Sequence, residues 1–165
     1  MKKSFAIILT LGLIFIHYSC EEDAQDLLVN DSTIVSVEYG KSFGECIGYC
    51  FTSIKIESTD VKFLLSSWES SSKYPDINVT VQISLDEWND LINSINFIIF
   101  RNMDEVIGCP DCADGGAEWI EITTDKLQHK ITFEYRNEPD EVKDYITQLR
   151  DLMSTYEAQM EDSDN

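Results

Sequence analysis

Positive charge is what this 165-residue chain has least of. Twelve lysines and arginines stand against 31 aspartates and glutamates, a formal net charge of −19. A nucleic-acid binder draws its affinity from lysine and arginine on phosphate, so this balance argues against that class. It also disfavours peripheral contact with anionic lipid headgroups. Histidine is nearly missing. Of the two present, His17 lies near the start and His129 on a predicted hairpin strand, where a structural role outweighs that of a base. There is no G-x-S-x-G nucleophile turn. Gly40-Lys41-Ser42 has the ending of a phosphate loop, but Val35 occupies the position that requires glycine. No apolar run is long enough to cross a membrane, which takes ~20 residues. No internal repeat occurs, and no low-complexity tract beyond acidic ends.

What is present begins with an address. Lys2 and Lys3 precede an apolar run from Phe5 to Ile16, then small Ser19 and Cys20. A charged start, a short apolar stretch and a small residue describe a secretory signal. Ser19-Cys20 resembles the lipobox of bacterial lipoproteins, with His17 and Tyr18 departing from its usual residues. The resemblance implies that Cys20 carries the lipid, palmitate among its acyl chains. Glu21-Glu22-Asp23 resembles the sorting signal of Bacteroidetes surface lipoproteins, which implies an outer-membrane protein on the periplasmic or cell-surface face. The membrane would then be met through the lipid anchor only. Residues 1–19 contain two lysines and no acid, so removing them takes the formal charge from −19 to −21.

Hydrophobic periodicity organises the rest. Residues 20–31 are acidic and read as a tether, and Asp31-Ser32-Thr33 resembles a Bacteroidetes O-glycosylation acceptor. Residues 32–157 read as one domain, and 158–165 as an acidic disordered tail. Period-two alternation marks strands around Val35, Val37 and Tyr39, then Ile54 and Ile56, then Val61, Phe63 and Leu65, then Val79, Val81 and Ile83. Glu57 to Asp60 fits a tight turn. Ser84 with Glu87 makes a capping box, and helical spacing then runs through Leu85, Trp88, Leu91, Ile92, Ile95, Ile98 and Ile99. Two further strands lie near Trp119–Thr123 and Lys130–Tyr135, joined around Asp125-Lys126. Pro139 opens a last helix with Val142, Tyr145, Ile146, Leu149, Leu152, Met153 and Tyr156 on its apolar face. The order ββββαββα predicts an α+β two-layer sandwich, an antiparallel sheet of about six strands with two helices on one face.

The chemistry rests on four cysteines, Cys46, Cys50, Cys109 and Cys112, once Cys20 is set aside. Four cysteines allow three pairings. An exported compartment favours disulfides. Cys46 and Cys50 can pair only if Gly48 folds the segment back, whereas Cys109-Pro110-Asp111-Cys112 suits a type I turn. Bonds between the two loops remain an alternative. A tetrahedral zinc site built from the same four thiolates is the metal alternative, otherwise with no cofactor. A thiol–disulfide oxidoreductase is a third reading. Against it, Cys109 and Cys112 follow a helix instead of opening one, and Glu105, Asp111 and Asp114 would push a thiol pKa upward. Asp104, Glu105, Asp111, Asp114 and Glu118 crowd one segment without the spacing of a calcium loop. Of the tryptophans, Trp88 and Trp119 suit the core. Trp68, in a serine-rich loop, is the candidate for an exposed contact.

Gly44-x-Cys46-x-Gly48-x-Cys50, running into a strand with Ile54 and Ile56, resembles a domain family of exported Bacteroidetes lipoproteins in which GxCxGxCP opens the domain. The similarity covers residues 33–153, with Phe51 in place of the proline. It implies a strand and helix, a cysteine–aspartate loop, a hairpin and a final helix. The family has no established activity. The expected function is a disulfide-stapled binding or interaction module for a protein or glycan, with the oxidoreductase or zinc domain as alternative.

Overall fold

The computed structural model describes residues 32–69 and 73–163, the last five as backbone only. The signal segment 1–19 and the tether 20–31, Cys20 included, lie outside the described residues. The strands are β1 (Ile34–Ser42), β2 (Phe51–Glu57), β3 (Asp60–Ser66), β4 (Ile77–Gln82), β5 (Val106–Ile107), β6 (Ala117–Thr124) and β7 (Gln128–Glu134). The helices are α1 (Leu85–Ser94), α2 (Phe97–Arg101) and α3 (Lys143–Ser163). Among the described residues no helix is long and apolar enough to cross a membrane.

One sheet runs in the order β4-β3-β2-β1-β6-β7-β5. Its register shows why one face is apolar. Val37 lies opposite Ile56 and Ile122, and Tyr39 opposite Ile54 and Ile120. Val61 and Phe63 extend this face across β3, and Ile131 and Phe133 across β7. Trp88 and Leu91 of α1, Phe100 of α2, and Tyr145, Ile146, Leu149 and Met153 of α3 close over it. Burying each such side chain contributes ~1.5–3 kcal/mol. The α+β two-layer class is therefore as expected. The reverse face is polar at its margins, with Trp119 at its middle. That ring lies over Gly40, where any added Cβ would overlap it. Phe51 flanks the ring at 4.8 Å, and the Lys130 ammonium sits 4.9 Å from its centroid.

Four details differ from the sequence reading. A seventh strand, β5, joins β7 in parallel, with Thr132 N–H donating to Glu105 C=O at 2.8 Å, so the sheet is mixed. Two residues are too few to show a period. The expected helix over 85–99 is two helices, making three α-helices among the described residues. Ile95 is extended, and the Asn96 side chain caps α2 by accepting the Ile99 N–H at 3.2 Å. That break brings Phe100 into the core and leaves Ile98 and Ile99 exposed, a local capping bond having overridden the apolar spacing. Leu85, which shares the helical spacing, is 58% exposed. Finally, Pro139 is extended ahead of a 3-10 turn at Asp140–Val142, so α3 starts at Lys143 and its backbone stays helical to Ser163, beyond the boundary placed at 157.

Candidate functional site

The two cysteine loops meet at one end of the sheet, and side-chain and backbone chemistry draw them together. In the first loop, Phe43 N–H donates to Cys50 C=O at 3.0 Å, and Cys50 N–H donates to Ser66 C=O at 3.0 Å. These bonds tie the loop to both flanking strands. Between them the chain reverses at Gly48, whose φ of 105° is open to glycine at little cost. The reversal brings the Cα atoms of Cys46 and Cys50 to 5.6 Å, and the two sulfurs are bonded. Cys50 is buried, while Ile47 at the tip is 93% exposed.

Cys109 and Cys112 are also bonded, with Cα atoms 5.5 Å apart and a turn hydrogen bond from Cys112 N–H to Cys109 C=O at 3.1 Å. The third residue of that turn, Asp111, has φ 58°, which belongs to a type II turn where the sequence predicted type I. The left-handed backbone aims the Asp111 carboxylate across the gap. One oxygen, Oδ1, accepts from Gly44 N–H and from Gly116 N–H, each at 3.2 Å. The Phe43 ring packs edge-on to Tyr135 at 4.9 Å and occupies the space a Gly116 side chain would need. Glu134 accepts from Cys109 N–H and Asn137 Nδ2, both at 2.9 Å. These two donors, the Cys109 amide first, hold its carboxyl below the usual range.

Beside the first loop lies an open cleft of about 680 Å³, with Glu45, Ile47, Gly48, Trp68, Glu69 and Tyr74 around it. Trp68 is 57% exposed, yet its Nε1 donates to Phe43 C=O at 2.7 Å, which fixes the ring while leaving its face open. Tyr49 and Tyr74 meet edge to face at 5.8 Å, and the Tyr49 hydroxyl donates to Pro75 C=O at 3.1 Å. Ser67 Oγ donates to Glu69 C=O at 2.6 Å and bends the chain at the cleft wall.

On the helix side, Glu118 is fully buried at the start of β6. Arg150 of α3 reaches it through Nη2 at 2.7 Å and also meets Glu138 at 2.9 Å. Burial, the largest single influence, pushes the Glu138 carboxyl upward, but the Arg150 hydrogen bond, a backbone hydrogen bond and the charges of Arg150 and Lys143 together leave it below the usual range. Lys41 pairs with Glu157 at 2.8 Å nearby. These contacts fasten β6, the strand leaving the second cysteine loop, and its neighbour β1 to α3.

The four cysteines thus lie in two in-loop pairs. Among the described residues, no group of three or more His, Cys, Asp or Glu side chains is placed to hold a metal. Glu118 parts from the other acids to join Arg150, and Asp111 is spent on backbone amides. His129 packs edge-on to Phe100 at 5.2 Å. Sequence reasoning missed two roles: Asp111 as the bridge between loops, and Glu118 with Arg150 as the buttress. The second was findable, since Glu118 keeps period with Ile120 and Ile122, and Arg150 lies one helical turn after Ile146. No protein-family model matches the chain, and no curated protein matches it either.

Proposed function

We propose that this chain is a disulfide-stapled lipoprotein of the outer membrane that works as a binding module, taking a protein or glycan at the cleft beside the Cys46–Cys50 loop. The observation carrying this reading is the pairing of exposure with rigidity. Ile47 and Trp68 are large apolar residues open to solvent, each held in place by a bond that costs no further ordering on binding. Binding energy concentrates on such preorganised apolar and aromatic residues. The Cys20 anchor, the outer-membrane location and the likeness to exported Bacteroidetes lipoproteins rest on the sequence motifs alone. Capture of crosslinked partners from the native envelope tests the reading. Wild-type protein should retain a partner that the double variant Ile47→Ser, Trp68→Ala loses while keeping its melting temperature. Equal capture by the variant would place the contact elsewhere.

The thiol–disulfide alternative has one observation in its favour, the exposure of both Cys109 and Cys112. Against it, Cys112 opens a three-residue 3-10 turn and no longer helix, and the Asp111 and Glu134 carboxylates lie close. Fast, selective reaction of Cys109–Cys112 with a dithiol substrate would favour the alternative.

A further inference from the structure

We propose that β4 is the edge through which two copies of this chain associate, pairing antiparallel about a two-fold axis at Val79. Among the described residues the sheet order leaves β4 with one neighbour, β3. In an antiparallel strand alternate residues turn their N–H and C=O to opposite sides, so half of these groups on β4 point away from β3. Asn78, Val79, Thr80 and Gln82 are all exposed, Val79 by 37%, so the strand is accessible from both faces of the sheet.

Such an edge is a template for another strand unless charge, proline or a covering segment blunts it. The opposite edge is blunted. There β5 covers part of β7, and Lys130 and the half-buried His129 stand along the rest. The segment Ile77-Asn78-Val79-Thr80-Val81-Gln82 has neither proline nor charge.

The side chains select the occupant. With Val79 opposite its own copy, Ile77 meets Val81 on the helix face and Asn78 meets Thr80 on the other. Apolar pairs with apolar and polar with polar, and β-branched residues are favourable cross-strand partners. A strand with no charge lets two chains of net charge −19 meet without like charges in direct opposition. The remaining repulsion is long-range and yields to salt. One short strand pair spans only ~20 Å. It therefore falls at the small end of stable interfaces, giving a weak, concentration-dependent dimer.

Sedimentation of the full chain in detergent tests this across protein concentration at roughly 0.05 and 0.5 M salt, between which the screening length falls several-fold. Dimer should increase with both. Val79→Lys places two ammonium groups on the axis and should weaken association at least tenfold with an unchanged circular dichroism spectrum. Val79→Cys should form an interchain disulfide on mild oxidation, and Lys62→Cys, on the open face of β3, should not. A chain that stays monomeric at high concentration and salt overturns the proposal, including the case in which β4 pairs with a different protein. So does a dimer that Val79→Lys leaves intact, or a Val79→Cys variant that does not crosslink.

Discussion

Arg150→Met asks what the buried ion pair contributes. The substitution keeps most of the aliphatic stem and removes the guanidinium from Glu118, which is 0% exposed, and from Glu138. At an effective dielectric of ~20, two unit charges about 4 Å apart attract by about 4 kcal/mol. Breaking a buried pair by removing one partner costs ~3–5 kcal/mol, because a charge is left uncompensated. The Arg150 side chain is 22% exposed, so water screens part of this and the lower end applies. The expected loss is about 3 kcal/mol at neutral pH. Urea unfolding monitored by circular dichroism measures it, as a lower midpoint with an unchanged slope. The pH dependence has a definite sign. Arg150 depresses the folded-state pKa of Glu138, so that contribution is present above the ordinary Glu value of ~4.3 and lost as pH falls through the folded value. The gap between parent and variant should narrow correspondingly in acid. Adding Glu118→Gln to Arg150→Met should recover stability relative to Arg150→Met alone. A loss below ~0.5 kcal/mol at neutral pH, the range of an ordinary surface change, would refute the buttress.

Other expectations follow from burial, loop length and the N-terminal motif. The disulfides close loops with sequence separations of 4 and 3, for which chain entropy gives about 2 kcal/mol each. Reduction should therefore lower the melting temperature; four free thiols with one bound zinc would instead establish the metal alternative. Ile146→Ala in the core should cost ~2–5 kcal/mol, whereas exposed Leu85→Ala should cost under ~0.5 kcal/mol. Comparable losses at both would contradict the placement of the helices. Cys20→Ser should release the protein from membranes or block its processing, and palmitate labelling that survives the substitution would remove the lipid assignment.

Regular elements were legible where one period persisted. Val37 and Tyr39, Val61 and Phe63, and Ile146, Leu149 and Met153 are core residues because their spacing matches a strand or a helix. The spacing misled at Ile98 and Ile99, since a capping bond from the Ile99 amide to the Asn96 side chain reset the helix. Gly48 signalled the fold-back of the first cysteine loop, and Trp68 was rightly singled out for exposure. Asp111 was not legible as a bridge. Its role depends on a left-handed backbone and on two amides, one of them 67 residues away in sequence. The cleft is likewise a tertiary product, assembled from segments around Cys46, Trp68 and Tyr74 that no local pattern links.

The most direct test of the binding reading is site-specific photocrosslinking in intact cells. A photoreactive residue replaces Ile47, or as a control Lys62 on the open face of the sheet. A discrete partner adduct is expected from position 47, abolished when Trp68 is also changed to alanine, and none from position 62. Adducts of equal yield from both positions, or a position-47 adduct indifferent to Trp68, would contradict the binding reading.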